Sequence, residues 1–584
     1  METLNQALVR AAQYPDCGLR ILDRRERESW MGWSELFERS SGTAAGLRAK
    51  GVERGETVGL FYPTGEEFFV AFFGILLAGA VPVPLYPPVR LGRLAEYQSR
   101  TARMLRAAGI RRVLVDSKLR RILGEALSGA NTRSFTLAQI SIRETLVEEV
   151  APDALGLVQF SSGTTVDPKP VALTHRALMA QTRSLNGFWP DTPELRHSGV
   201  SWLPLYHDMG LIGCVFTVLE RPSTLTLIPP ELFVARPAVW LRALAKYRAT
   251  ISPAPTFAFG LCAEKIRDDQ LQGVDLSHWR VALCGAETVV PAVLDRFARR
   301  FEPFGFRPQA LTPVYGLSES ALAVTFSDID RPFSYRSISR DGRKADLAAA
   351  PGETKEQTTG RKIVSVGRPL PGFEIQVRDQ NGEVLTESEE GRVWIRGPSL
   401  MREYLNQPEA TARVLQGGWL DTGDVGFLYV GELYISGRAK DVLIVRGVNH
   451  SPDEIEAAVS ELGSVRTGCA AAVGCLPVGA DREEIWLFIE RARKHPEDAR
   501  DEIIEACMRQ VLRHTGIAVD RVEVLEPGTL PRTSSGKIRR QRALELHLAG
   551  ELLPPDPVTA GRILQAMGRS MWAQLRQRQG RDAR

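Results

Sequence analysis

Short β-branched and apolar runs alternate with longer helix-spaced segments through the first half of this 584-residue chain, and that alternation most constrains its fold. Residues 33–50 have the spacing of an amphipathic helix. VGLFYP at 58–63 reads as a buried strand, and 66–79 as a mostly buried helix. VPVPLYP at 81–87 reads as a strand whose prolines suit an edge. Further strand-like runs follow at 111–117, 156–163, 200–205, 249–255 and 280–287. Strands separated by helices predict layered α/β architecture.

After about residue 365 the spacing changes. GFEIQVRDQNGEVL, GRVWIRGPS and GELYISG set strand patterns around turn residues, which predicts a smaller β-rich unit of hairpins. From about 441 a compact α/β unit is expected. It contains DVLIVRG, a capped helix at SPDEIEAAVSEL, the runs CAAAVGCLP and EEIWLFIERA, a helix near 500–514, and the polar stretch PRTSSGKIRR at 531–540. Residues 551–584 read as a tail with a short amphipathic helix and a basic end. The length exceeds a single core and predicts roughly two to four domains.

Composition narrows the function. A net charge of +4 from 74 basic and 70 acidic residues gives no nucleic-acid face. The N-terminal METLNQALVRAAQYPDCG lacks a basic region followed by an apolar run, so no signal peptide is expected. The most apolar stretch, 68–86, is broken by Gly and Pro and reads as a buried helix running into a strand, without stable membrane insertion. Seven cysteines form no CxxC pair, and eight histidines make no HExxH. Free thiols in a reducing cytoplasm are expected, without zinc.

The sharpest local feature is SSGTTVDPKP at 161–170, after the apolar run LGLVQF. Backbone N–H groups and hydroxyls in such a loop can cradle phosphate oxygens, and Lys169 adds a mobile cation. GxxxxGK[ST] is absent, and an ordinary Ser/Thr-rich surface loop has the same composition. Other segments supply further parts. LPLYHDMGLIG (203–213) holds His207 and Asp208, and YGLSES (315–320) holds Tyr315, Gly316, Ser318 and Glu319. DTGDVG (421–426) has two carboxylates, GRAKD (437–441) is a mixed-charge turn, and PRTSSGKIRR carries Lys537. Each alone fits a surface turn. Together they offer an aromatic platform, carboxylates for a metal and a ribose, and movable cations, the parts needed for nucleotidyl transfer from ATP. GxSxG is absent, which argues against a Ser-His-Asp hydrolase.

Over roughly residues 10–550 these motifs resemble the adenylate-forming superfamily of acyl-CoA synthetases, peptide-synthetase adenylation domains and luciferases. Within it the chain is most similar to the fatty acyl-AMP ligases. That similarity rests on SWLPLYHDMGLIG (201–213), on GRAKDVLIVRGVNHSPDEIE (437–456) with Asn449 and His450, and on the long polar segment 322–364, which resembles the insertion of that branch, although its composition, poor in aromatics, equally fits a disordered loop. In the family this insertion packs against the C-terminal domain and accompanies weak or absent coenzyme A use. The resemblance implies a large N-terminal domain (1–439) of layered α/β subdomains plus a β-rich subdomain (365–436). It also implies a small mobile C-terminal α+β domain (440–550) hinged at Lys440, and a tail (551–584).

The same resemblance implies site roles. Ser161, Ser162, Gly163, Thr164, Thr165 and Lys169 would hold the ATP phosphates. Gly285, Ala286 and Glu287 would line the adenine pocket, with Tyr315 and Gly316 against the base and Ser318 near the α-phosphate. Glu319 would carry Mg²⁺, Asp424 the ribose hydroxyls, and Arg438 ribose or phosphate. Lys537 would be the catalytic lysine of adenylation, and His207 would gate the acyl pocket. Val166 and Pro170 stand where the family usually has glycine, which trims flexibility and, at 170, removes a backbone donor.

The implied reaction is in-line attack of a carboxylate on the α-phosphorus of ATP, giving acyl-AMP and pyrophosphate. It proceeds through positioning and charge stabilisation. The resemblance further implies a medium- or long-chain fatty acid. The acceptor would be the phosphopantetheine thiol of an acyl carrier protein, or of a carrier domain of a polyketide or peptide synthase, with free coenzyme A as the alternative; a non-catalytic binding relative would keep the fold but lose Lys537, Glu319 or Asp424, and all three are present. Residues 210–213 and 251–260 either line an apolar acyl tunnel or are ordinary core. Monomer and dimer both stay open.

Overall fold

The computed structural model describes residues 2–88, 94–161, 168–192, 196–338, 361–441, 443–445, 448–460, 462–475, 484–493, 495, 499–533 and 536–555. Nine strands form its largest sheet, in the spatial order Arg368–Pro369, Ala323–Phe326, Leu311–Gly316, Val281–Cys284, Ile251–Ala254, Gly199–Ser201, Thr224–Leu227, Gly18–Leu22 and Glu28–Gly32. The inner strands run parallel and the outermost pairs antiparallel. Val281–Cys284 is buried throughout, as expected of a parallel strand covered on both faces. A second, all-parallel sheet has the order Val81–Pro84, Thr57–Phe61, Arg112–Val115, Arg133–Phe135. Its proline-containing strand lies at the edge, the place proline tolerates.

Two local features depart from the sequence pattern. Helix Trp33–Ala49 buries Ser40, Ser41, Gly42 and Thr43 beside Leu36 and Leu47, so its packing face is not the apolar stripe that amphipathic spacing predicts. A seam of small residues replaces that stripe. A Cβ at Gly74 of helix Glu66–Leu77 would lie 2.5 Å from Thr43 Cγ2, and one at Gly46 would lie 1.5 Å from the Ile140 carbonyl oxygen. Strand Leu155–Phe160 pairs antiparallel with Pro170–Thr174, joining Phe160 to Pro170, and Glu403–Tyr404 adds a third strand. The 161–169 loop is therefore a hairpin connection and not the turn of a βα unit.

The β-rich unit is present as antiparallel strands Glu374–Arg378, Gly391–Arg396, Trp419–Tyr429 and Leu415–Gln416, with Glu432–Arg438 also paired to Trp419–Tyr429. The smaller C-terminal domain is α+β. Strands Val465–Cys475, Glu484–Arg491 and Arg521–Leu525 accompany helices Pro452–Ser460, Arg500–Thr515 and Arg540–Leu548. Its apolar core, which includes Ile455, Val459, Leu487 and Val511, is separate from the core of the large α/β domain. Within segment 322–364, strands Tyr335–Ile338 and Arg361–Val364 pair antiparallel, and Ile363 packs on Phe427 and Tyr434 of the β-rich unit. Residues 339–360, and the tail beyond 555, lie outside the described residues. Among those described, no helix is long and apolar enough to cross a membrane. All seven cysteines are free thiols.

His175 opens helix His175–Phe188, is 1% exposed, and accepts the Leu4 N–H on Nδ1 at 3.2 Å. Burial holds its pKa down at about 4, against an ordinary 6.5. The folded state keeps this ring neutral, while the unfolded chain takes up a proton below about pH 6.5. Its contribution is therefore intact above pH 6.5 and lost as pH falls toward 4. We expect about 2 kcal/mol of stability to be lost between pH 7.5 and 5 through this group. Urea midpoints across that range should show the loss, and His175→Asn should flatten it. An equally steep limb in the variant would remove His175 as the cause.

Candidate active site

Asp424, on strand Trp419–Tyr429, faces Arg438 across the ladder to Glu432–Arg438. Its buried carboxylate accepts the Tyr315 hydroxyl on Oδ2 at 2.7 Å and Arg438 Nε on Oδ1 at 3.1 Å. Tyr315 lies near the end of central strand Leu311–Gly316, where the register shifts between Tyr315 and Gly316. Such bulges re-aim side chains at sheet ends. Gly316 is required there, because a Cβ would lie 1.8 Å from the Leu322 carbonyl oxygen. Burial, then the Asp424 charge, push the Tyr315 hydroxyl well above its ordinary pKa and keep it a donor. Lys440 follows two residues after Arg438 and is exposed.

A second carboxylate, Asp208, sits at the start of the short helix Asp208–Gly210. It accepts Ser318 Oγ at 2.5 Å, His207 Nδ1 at 2.6 Å and its neighbour Met209 N–H at 2.7 Å. Burial alone would raise the Asp208 pKa. The His207 ring, Ser318 and Met209 outweigh it and hold the group at about 2. The backbone comes close here: a Cβ at Gly210 would lie 2.3 Å from the Pro204 carbonyl oxygen. The following Leu211–Phe216 stretch is π-helical, a local form frequent at functional sites. Leu211 and Ile212 are fully buried in the main core.

Strand Val281–Cys284 ends at Gly285, where a Cβ would come within 2.8 Å of the Val314 carbonyl oxygen. Ala286 has φ +68°, a left-handed conformation an alanine adopts only when its surroundings impose it. Glu287 Oε1 accepts the Phe257 N–H at 2.6 Å. Burial raises the Glu287 pKa, against the pull of the Phe257 N–H and the Lys537 charge.

Glu319 Oε1 accepts the Tyr404 hydroxyl at 2.7 Å, and Lys169 Nζ lies 4.4 Å from the Tyr404 ring centroid. The base of the hairpin loop is closed by Ser161 N–H to the Lys169 carbonyl at 2.9 Å and Lys169 N–H to Ser161 Oγ at 3.3 Å. Ser162, Gly163, Thr164, Thr165 and Val166 lie outside the described residues. Sequence reasoning did not single out Tyr404. It is 85 residues from Glu319, in a run without a motif, and only strand pairing brings it to Pro170–Thr174. Among the described residues no three His, Cys, Asp or Glu side chains gather as a metal cage.

Lys537 comes from the small domain. Its loop is pinned by Thr533 N–H to the Lys537 carbonyl at 2.7 Å and Lys537 N–H to Thr533 Oγ1 at 3.1 Å, with Gly536 at φ +92°. Burial, and after it the Arg438 guanidinium, push the Lys537 ammonium below the ordinary lysine range. The carboxylates of Glu287, Asp208 and Asp424 pull the other way. Residues from four separated stretches of the large domain thus act on one amine of the small domain.

The AMP-binding enzyme family model matches residues 9–405. A relative from Caulobacter vibrioides (strain NA1000 / CB15N), named "Putative acyl-CoA synthetase", is 33% identical over 563 residues, 94% of this chain and 96% of its own. The medium-chain-fatty-acid–[acyl-carrier-protein] ligase JamA of Moorena producens (strain JHB) is 31% identical over 552 residues, 91% of this chain and 92% of its own. A solved structure from studies of fatty acyl-adenylate ligases of E. coli and L. pneumophila matches with a TM-score of 0.85 at 30% identity, covering 94% of this chain and 99% of that one. A family match over most of the chain, with near-full-length relatives above 30% identity, makes this protein a member of the AMP-binding, adenylate-forming enzymes, closely related to the fatty acyl-AMP and acyl-CoA ligases.

Proposed function

We propose that this chain activates a medium- or long-chain fatty acid with ATP as acyl-AMP, releases pyrophosphate, and passes the acyl group to the phosphopantetheine thiol of a carrier protein. What supports the reading is that the polar segments are bonded to one another, Asp424 to Tyr315 and Arg438 and Asp208 to Ser318, with small-domain Lys537 under the charges of Arg438, Glu287, Asp208 and Asp424. In this reading Tyr315, Gly316 and the 285–287 turn bind adenine, and Asp424 and Arg438 bind ribose. Ser161 and Lys169, with the hydroxyls at 162–165, bind the phosphates.

The acid needs no activation by a base, because a carboxylate is already anionic at neutral pH. One of its oxygens forms the new bond to the α-phosphorus, and the bond to pyrophosphate breaks. The Lys537 ammonium offsets the charge that builds on the α-phosphate oxygens, with Ser318 as a neighbouring donor. Magnesium favours a few carboxylates together with phosphate oxygens and water. Glu319, with one oxygen engaged by Tyr404, fits that sparse donor set. When bound there, the ion would supply charge neutralisation on the phosphates. His207, held by Asp208, gates the acyl entrance, and Lys440 is the pivot about which the small domain turns between adenylation and transfer. The free cysteines fit the cytoplasm as the place of action.

The carrier-protein acceptor is supported by the polar segment at 322–364 and by the name of the Moorena relative. Free coenzyme A is a second reading, favoured by the name of the Caulobacter relative.

Acids of varied length with ATP and Mg²⁺, then offered coenzyme A or holo-carrier protein, should give acyl-AMP and acyl-carrier with little acyl-CoA by mass spectrometry. Abundant acyl-CoA would overturn the acceptor, and no acyl-AMP from any acid would overturn the reaction. Lys537→Ala should slow acid-dependent ATP–pyrophosphate exchange by about a hundredfold or more, the scale for losing one charge-stabilising donor. The exchange rate should also fall on an alkaline limb below the ordinary lysine pKa of 10.5, since the lowered Lys537 ammonium deprotonates there first. Lys537→Arg should move that limb upward.

A further inference from the structure

Arg540, the first residue of helix Arg540–Leu548, stands three residues beyond Lys537 and is a hub for carboxylates. Its guanidinium meets Glu456 Oε1 at 2.6 Å and Oε2 at 2.8 Å, Asp441 Oδ2 at 3.3 Å, and Asp453 Oδ1. Asp441 adjoins Lys440, the hinge position. Glu456 is anchored from behind, because its Oε1 also accepts the Ala472 N–H at 2.9 Å. The other oxygen of Asp453 leaves the small domain: it accepts Thr288 Oγ1 at 2.7 Å. Thr288 follows Glu287, and its carbonyl accepts Thr256 Oγ1 at 3.2 Å, so it belongs to the rigid turn after strand Val281–Cys284.

These contacts form one chain of bonds from the hinge, through Arg540 and Asp453, to the wall of the site. We propose that the Thr288–Asp453 hydrogen bond, braced by Arg540, is a latch that holds the small domain against the large one in the arrangement that serves adenylation. The inference rests on the adenylation role read for Lys537. Thr288, Asp453 and Arg540 are positioning residues in it and touch no reacting atom. Breaking the latch lowers the fraction of molecules with Lys537 in place and leaves the nucleotide-binding surface of the large domain intact.

A partial loss of the closed arrangement should appear in kcat and spare KM. Thr288→Val keeps the side-chain volume and removes only the donor. In the full-length protein, with dodecanoate as the probe acid, it should lower the kcat of ATP–pyrophosphate exchange about threefold, the order for one solvent-exposed hydrogen bond to a charged acceptor. The KM for ATP and the melting temperature should not change, and Thr288→Ser should restore the rate. Arg540→Gln should give a larger kcat loss if it folds. Thr288→Val remains the deciding variant if it does not. An unchanged kcat in Thr288→Val, a rise in KM for ATP that accounts for the loss, or no rescue by serine would each overturn the latch. Full exchange activity in Lys537→Ala would instead overturn the underlying site reading.

Discussion

The site depends on one buried carboxylate, Asp424, with a donor on each oxygen. Tyr315 reaches it from the central sheet, and Arg438 reaches it from the adjacent strand of the β-rich unit. A carboxylate taken out of water is tolerated only when its lone pairs are met by well-placed donors. Meeting that requirement fixes the bulged end of strand Leu311–Gly316 against the β-rich sheet. It also fixes the point from which the chain departs toward Lys440 and the small domain.

Asp208 repeats the same physics on the other side. Its low pKa comes from the His207 ring and from Ser318, which prevail over burial. The pair joins the 203–213 segment to the 315–320 segment, so Ser318 and Glu319 cannot shift without disturbing His207. Glu319 then passes through Tyr404 to Lys169 at the base of the hairpin loop. Charges that would be costly if buried alone are each met by a donor or an aromatic ring from another segment. Lys537 is the cation that arrives from outside those segments. Its lowered pKa reflects burial and the Arg438 charge, partly offset by three carboxylates.

Much of this was legible before folding. The βα periodicity, the change of texture after 365 and the compact C-terminal unit all correspond to observed elements, because each is written in local hydrophobic spacing. The segments that hold Tyr315, Ser318, Glu319, Asp424, Arg438 and Lys537 stand out as short polar stretches between apolar runs, and the family resemblance assigned the individual residues. Spacing misled where burial was achieved without apolar side chains. Helix Trp33–Ala49 packs through Ser, Gly and Thr, whose small size allows the backbone contact at Gly46 and Gly74. The loop at 161–169 was expected to leave a strand, yet nothing local reveals that Pro170–Thr174 returns antiparallel to it.

The sequence by itself determined the class of elements, the chemistry of the polar segments and the order in which they occur. Those depend on contacts within a few residues and on side-chain type. Only the tertiary structure decided the pairings: Tyr404 with Glu319, Tyr315 with Asp424, Asp208 with Ser318, and Arg540 with Asp441, Asp453 and Glu456. The partners of Asp208 and Ser318 are 110 residues apart, and those of Tyr315 and Asp424 are 109 apart. Strand register and the packing of two domains bring such groups together, and neither leaves a mark in local spacing. The cross-domain bond between Thr288 and Asp453 is the furthest case among them: it exists only when both cores have formed and met.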